Sequence, residues 1–487
     1  MSTETAGYHQ GYDAAQDNTT RSLLLFPTNS RTELSSYTRA RLQEKARALE
    51  ANFTPITRIR AKFGRAVAGR GIFPVPVTAD AEWNKAAKLF IERWASNPFL
   101  YSVDGSRDMW EDQRLDAEEL GCGDGETFSA FAERDGLLML QPLDPFEIGT
   151  PYFYRSTDYD DGVQCDALLR PTGYSVRELP AGYSATAPGY RTVPAEQMLH
   201  LFRRRRAKQF RGLPPIYSGL NTGNDALDKL ALETATEKLH SLLAVTKTAK
   251  PANKGQGLSN QLNRVLNADG TLNRIEEKMP RGAATVELDE GEALQLLNST
   301  RPSQNFLEGM RFGCMLIALG VDLPASVVMG FVGLGGTAVR GDLEDAQNTF
   351  ELRQDQLVWR KYQRIYIRRI ARAMDRGELP RCRDPYFYAT DWHGPAKMTV
   401  DYGRSATANI DLMKAGMMSV PRYMEERGIN WQNEQDAQIL WLKRAQDECA
   451  KAGVEFSRFM EATPGAVPAV RPAAAPDPAE PADPPED

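Results

Sequence analysis

Side chains able to do chemistry gather in three charged blocks. Residues 104–126 hold nine acids, Asp104, Asp108, Glu111, Asp112, Asp116, Glu118, Glu119, Asp124 and Glu126, against Arg107 and Arg114, a net of −7. Carboxylates at that density can chelate a divalent ion, but the fixed coordination spacing of a metal loop is missing. The simpler expectation is a solvated acidic face on a helix over 106–120. Arg203, Arg204, Arg205, Arg206, Lys208 and Arg211 put six bases into nine residues. Such a block attracts phosphates, or serves as a surface loop that pairs with the acids of 104–126 on a neighbouring subunit. Residues 360–376 carry seven bases against one acid, a net of +6. Asp158, Asp160 and Asp161 before Gly162 faintly suggest a calcium loop, yet the later ligands are absent and a turn is expected.

Recognisable catalytic patterns are missing. There is no Gly-Lys dipeptide to place an ammonium on nucleotide phosphates, no Gly-x-Ser-x-Gly and no His-Glu-x-x-His. His9, His200, His240, His393 and the five cysteines form no short-spaced pair for zinc. The run Gly333-Leu334-Gly335-Gly336 lacks the third-glycine spacing of a dinucleotide fingerprint. These absences point to a protein without catalytic residues, metal or cofactor; the enzyme-class rival is a metal-dependent nuclease using the 104–126 carboxylates.

Composition sets further bounds. The 487 residues carry 59 Lys and Arg against 65 Asp and Glu, a net charge of −6, which excludes a nucleic-acid grip over the whole surface. Five scattered cysteines argue against a disulfide framework, and the polar first 17 residues show no secretory signal. Residues 312–336 are apolar enough to tempt a membrane reading, but Asp322, Pro324 and six glycines favour a buried helix followed by a loop.

The elements that must position these groups follow from periodicity. A polar arm over 1–37 precedes helices at 38–51, 55–67 and 79–94, the last with Trp83, Ala86, Ala87, Phe90, Ile91 and Trp94 on one face. Short apolar runs at 137–140, 146–148, 151–154 and 192–193 read as strands of a small sheet. A long helix capped by Asn224 or Asp225 carries Leu227, Leu230, Ala231, Ala235, Leu239 and Leu242 at three- and four-residue steps. A hairpin-like excursion containing a strand over 284–288 follows, and a second helix over 302–319 brings the chain back. The glycines at 330, 333, 335 and 336 make a loop with few steric limits. The longest helix, over 341–376, has Leu343, Ala346, Phe350, Leu357 and Ile365 on one stripe. Helices over 405–414, 419–426 and 434–451 then precede a Pro- and Ala-rich acidic tail over 463–487, expected to be disordered. The fold class is α+β, mainly helical.

Several segments, in order, resemble the portal proteins of tailed bacteriophages, most closely the lambda-type family. They are Arg47 to Asn52 leading to Gly69-Arg70-Gly71-Ile72, the turn Gly123-Asp124-Gly125-Glu126, and 193–202 followed by Gln209 to Pro214. Leu319 to Pro324, Ala338-Val339-Arg340, Arg353 to Leu357, Trp392 to Pro395, Ala415-Gly416 and Glu425 to Gly428 continue the order. Residues 244–300 match poorly, a glycine-rich 333–337 replaces the family's Asn-Tyr-Ser-Ser, and the tail is extra.

The resemblance implies a portal fold of wing, stem, clip and crown, assembled as a dodecameric ring at one capsid vertex of the virion, built in the host cytoplasm. It implies a wing at 38–215 and 341–403, stem helices at 216–243 and 301–322, a clip at 244–300, a tunnel loop at 323–340 and a crown at 404–462. Implied partners are double-stranded DNA, held without sequence preference, the terminase large subunit, neck or adaptor proteins and the major capsid protein, with no membrane. Lys229, Lys238, Gly333, Gly335, Gly336 and Arg340 are the expected DNA-channel residues. Arg360, Arg364, Arg368 and Arg372 are expected to pair with a neighbouring subunit. A tail or baseplate protein without a DNA channel is the structural alternative.

Overall fold

Caps and apolar spacing start the helices of the first body. The computed structural model describes residues 33–151, 159–178, 189–242, 245–248, 285–288, 304–331, 333–398, 402–429 and 431–462. Ser35 accepts a hydrogen bond from the Thr38 amide and starts α1 (Ser36–Asn52). Pro55 occupies the first turn of α2 (Thr54–Phe63), which runs into a π-helical turn, Gly64–Ala68, and ends where Gly69 takes φ 58°. After β1 (Phe73–Pro76), Asp80 caps α3 (Ala81–Ala95), whose Trp83, Ala87, Ile91 and Trp94 are buried as the stripe predicts. α4 (Pro98–Tyr101) and α5 (Met109–Cys122) complete this layer; Asp108, which accepts from the Glu111 amide, starts α5 later than the expected position 106.

Two three-stranded antiparallel sheets follow. β2 (Glu126–Arg134) and β3 (Leu137–Leu143) are joined by a turn, and β4 (Val163–Cys165), β5 (Pro171–Glu178) and β6 (Gly189–Pro194) form the second sheet in that order. β7 (Met198–Phe202) returns to the first sheet, giving the order β3-β2-β7, with Glu126 opposite Phe202 and Phe128 opposite His200. Where a strand over 146–148 is expected, Pro145–Glu147 form a 3₁₀ turn instead, because Pro145 sets its first φ and Asp144 binds the Phe146 amide; the strand expected over 151–154 lies, beyond Pro151, outside the described residues. Residues 160–163 are the expected turn, with Asp161 at φ 51° and Gly162 at φ 84°. Phe128, Leu143, Tyr174, Val176, Val193, Met198 and Phe210 form a small core between the sheets.

A 3₁₀ turn, Pro215–Gly219, feeds directly into α6 (Leu220–Leu242), so the helix begins before the expected cap at Asn224. β8 (Val245–Thr248) and β9 (Thr285–Leu288) pair in parallel, which no tight hairpin can do. α7 (Gln304–Gly320) comes back antiparallel to α6: Gly219 and Gly223 lie against Ile317, and Gly313 against Thr222. After α8 (Ala325–Met329), the long helix begins at Gly336, as α9 (Gly336–Leu357). It passes through a π turn, Val358–Tyr362, into α10 (Gln363–Asp375), and Leu343, Ala346, Phe350, Leu357 and Ile365 are buried in the main helical core. β10 (Thr390–His393) pairs antiparallel with β1. No described helix is long and apolar enough to cross a membrane; the run at 312–336 breaks at Gly320 and at Asp322, which takes φ 62°.

Contacts divide the chain into 1–402 and 403–487. The second body holds α11 (Tyr402–Lys414), α12 (Val420–Glu426), α13 (Trp431–Ala452) and α14 (Phe456–Ala462), with Gly416 and Gly428 at positive φ in the expected turns. Nearly all of the expected arm, most of 244–300 and the tail at 463–487 lie outside the described residues.

Candidate functional site

The turn into β2 demands glycine at 125, where φ is 79° and a Cβ would lie 1.9 Å from the Leu213 carbonyl oxygen. That tight approach carries Glu126 to full burial, where Arg211 forks onto it through Nε to Oε2 at 3.0 Å and Nη2 to Oε1 at 2.8 Å. The Gly212 amide donates to Oε2 at 2.7 Å, Gln43 Nε2 donates to Oε1 at 3.1 Å, and His200 Nε2 lies 3.3 Å from Oε2. The remaining Arg211 protons reach the carbonyls of Pro145, Ile148 and Asp161 at 2.9, 3.1 and 2.7 Å, so all five N–H groups have acceptors. Arg39 pairs with Asp161 and sits 3.5 Å from Glu126. Burial opposes ionisation of Glu126, yet Arg211, His200 and Arg39 hold its carboxyl well below the usual range. Burial keeps His200 below its ordinary pKa, against the pull of Glu126, so the imidazole is neutral at pH 7.

A second buried node lies where α5 meets the π turn. Lys361 Nζ is 2.9 Å from Asp112 and 2.7 Å from Asp116, while Tyr101 donates to Asp112 at 2.8 Å and Tyr362 to Asp116 at 2.7 Å. Burial and the Asp112 charge keep Asp116 above the ordinary carboxylate range in spite of Lys361. Against the same burial, Lys361 draws Asp112 below it. Arg47 binds Asp124 and Asp144, and Arg60 binds Glu50 and Glu119.

The expected solvated acidic face is therefore corrected: Asp112, Asp116, Asp124 and Glu126 are buried against cations from distant segments. Arg211 likewise leaves the basic block for an acid of its own chain, whereas Arg204, Arg205, Arg206 and Lys208 stay exposed. Carboxylates line a cleft of about 410 Å³ beside these nodes, but among the described residues no three His, Cys, Asp or Glu are arranged to hold a metal. Sequence reasoning missed Lys361, Arg39 and the role of Arg211. The readable signals were Asp112 and Asp116 on one helix face, and a lysine inside an otherwise apolar register.

Lys229 and Lys238 are both exposed on α6, but nine residues at about 100° each put them on opposite sides of the helix. Gly333, Gly335 and Gly336 are exposed, and a Cβ at any of them would meet nothing within 4 Å. Gly335 caps α9, Gly336 begins it and exposed Arg340 lies in its second turn, so these four are brought together apart from the lysines. Arg360, Arg364 and Arg368 donate to the carbonyls of Phe202, Met198 and Glu196 at 3.3, 3.4 and 2.9 Å, and Arg372 pairs with Glu133 at 2.6 Å. The structure thus engages all four within the chain, at helical i,i+4 steps along β7 and β2; any contact with a neighbouring subunit comes in addition to these bonds. Their main acceptors are backbone carbonyls, which leave no mark in a sequence.

The two antiparallel helices keep large apolar side chains in solvent. Leu230 and Leu232 of α6 are 45% and 68% exposed, and Phe312, Leu316 and Leu319 of α7, at i, i+4 and i+7, are 57%, 41% and 55% exposed. A model of the family described as phage portal protein, lambda family, matches residues 20–354. The chain belongs to that family. Portal chains are structural components of the capsid rather than catalysts, and the mainly helical α+β fold with paired long helices is that of a portal subunit. Solved structures similar to this portal chain include an HK97 family phage portal protein from Corynebacterium diphtheriae, at 12% identity and TM-score 0.30, covering 61% of this chain and 84% of that one. The neck of a native gene transfer agent particle computed with C12 symmetry is similar at 12% identity and TM-score 0.42, covering 78% and 92%. The virion of a native gene transfer agent particle is similar at 11% identity and TM-score 0.39, covering 81% and 99%. A comparison with curated proteins gives no match.

Proposed function

We propose that twelve copies of the chain close into a ring at one capsid vertex and that double-stranded DNA passes through its bore during packaging and ejection. The observation that carries this reading is the apolar stripe of Phe312, Leu316 and Leu319, which is left exposed on α7 among the described residues. Burying each such side chain is worth about 1.5–3 kcal/mol, and a heterologous contact repeated by rotation closes a ring. α6 and α7 are the stem in this reading, 244–300 the clip that docks the terminase large subunit and then neck or adaptor proteins, and 404–462 the crown. The bodies at 38–215 and 341–403 are the wing, where the major capsid protein is met. The loop at 323–340 lies at the tunnel, with Gly333, Gly335, Gly336 and Arg340 beside the duplex. From a straight stem helix only one of Lys229 and Lys238 faces the bore. Exposed Asp225, Asp228 and Glu237 on α6 outnumber those two lysines, so few counterions are released and the duplex slides. The chain contributes no catalysis of its own.

Electron microscopy of the purified chain tests the reading: a ring with a hole wide enough for a duplex is expected, and a ring-free monomer or a solid tail-like assembly defeats it. The variant Phe312→Glu with Leu316→Glu should stay folded by circular dichroism and lose the ring.

A further inference from the structure

One cluster of charge is left unbalanced where the chain enters α6 and leaves α7. Arg353 on α9 is 5% exposed, and its Nε has no hydrogen-bond partner among the described residues. Its Nη1 reaches Gln356 Oε1 at a long 3.4 Å, and its Nη2 stands 3.7 Å from Asp322 Oδ2. That same carboxylate oxygen is 2.8 Å from Arg203 Nη1, and Arg205 stacks on the Tyr217 ring at 4.2 Å. Burial and the positive charge of Arg203 and Arg205 bring the Arg353 pKa down to about 10, against Asp322. Two guanidinia, those of Arg203 and Arg353, therefore share one half-exposed carboxylate, and Arg205 adds a third positive charge nearby. Asp322 is held in this place by its φ of 62° and by Thr349, whose hydroxyl donates to its carbonyl at 2.9 Å.

We propose that Arg203, Arg205 and Arg353 form a receptor for a carboxylate side chain presented by a second copy of this chain. The inference rests on the ring reading above and names one of its contacts. A buried guanidinium with an idle N–H calls for an anion, since an uncompensated charge in the interior is costly. The Arg353 side chain lies deeper than Arg203 and Asp322, whose side chains are 42% and 51% exposed. A carboxylate on a slender stem reaches past that rim, whereas a phosphate fixed in a stiff duplex is held outside it. A forked hold on phosphate would also resist sliding of DNA. The chain has acids to offer, such as exposed Asp228 on α6 and Glu344 on α9.

The test is assembly of the full chain, followed by light scattering on dilution at several salt concentrations, for wild type, Arg353→Gln and Arg203→Gln. Removal of an idle buried charge should leave the melting temperature of the dissociated subunit unchanged or higher. The concentration at which rings dissociate should rise at least tenfold, with a flatter salt dependence. Rings that dissociate as wild type does, in both variants, overturn the inference and leave the portal reading standing; so does unchanged assembly with impaired DNA retention, which assigns the site to phosphate. Arg203→Gln, altered at the exposed rim, decides between these outcomes if Arg353→Gln fails to fold. A wild-type chain that forms no ring under any condition overturns the ring reading and this contact together.

Discussion

Replacement of Arg211 puts the buried node at Glu126 to a quantitative test. The guanidinium makes two bonds to a fully buried carboxylate and three to carbonyls at 2.7–3.1 Å. Arg211→Lys keeps the charge but offers three donors in place of five and no planar fork. At least two buried acceptors lose their donor, at about 1 kcal/mol or more each, so a loss of roughly 2–3 kcal/mol is expected. Arg211→Met removes the charge as well and leaves Arg39, 3.5 Å away, as the cation beside Glu126, for which breaking a buried pair suggests about 3–5 kcal/mol. Glu126→Gln together with Arg211→Met should recover part of that loss, because no ion is then stranded. Urea unfolding followed by tryptophan fluorescence reads these changes, taking the transition of the 33–402 body alone, since two bodies need not unfold together. A loss under about 1 kcal/mol for Arg211→Met, or a double variant no better than the single one, would refute the reasoning.

Gly125→Ala should cost roughly 3 kcal/mol, from a positive φ and a clash with the Leu213 carbonyl, and a melting curve matching wild type would contradict this. Lys361→Met strands Asp112 and Asp116 and should cost about 3–5 kcal/mol in the same urea assay; adding Asp116→Leu should restore part of it, and no restoration would count against the node. His200 has a folded pKa below its unfolded value of about 6.5, so its contribution is complete at neutral pH and is lost as pH falls through 6.5 toward the folded value. The stability difference between wild type and His200→Gln should therefore shrink from pH 7 to pH 5, and a difference that grows would reverse the assignment. Glu126, depressed far below its unfolded value of about 4.3, should add a further loss that begins as pH falls through about 4.3 and is complete only below its folded value.

Periodicity made the helical frame legible. The stripe of Trp83, Ala87, Ile91 and Trp94 and that of Leu343, Ala346, Phe350 and Leu357 are buried as their spacing dictates, since a helix hides whichever face its apolar residues share. Boundaries moved where backbone features set them: Pro145 turned an apparent strand into a 3₁₀ turn, and the turn at 215–219 drew α6 back to Leu220. The pairing inside the charged nodes was illegible for a different reason. Asp112 and Lys361 are separated by 249 positions, and nothing local distinguishes an acid bound for a buried cation from one bound for water. Three of the segments that carry the resemblance, 123–126, 193–202 and 209–214, meet at Glu126, although no site was expected there. The expected channel residues divided by geometry, with the glycines and Arg340 contiguous and the two lysines on opposite faces of one rod.

Saturation of Arg211 has a kinetic meaning. A half-closed body that encloses Glu126 before Arg211 arrives buries an anion short of its main cation, and one that encloses Arg211 first buries a cation short of its anion. Both states are costly, so α1, β2, β7 and the 209–214 passage between β7 and α6 are expected to dock together. A truncated chain lacking any one of these pieces should leave an open, water-filled seam around Glu126.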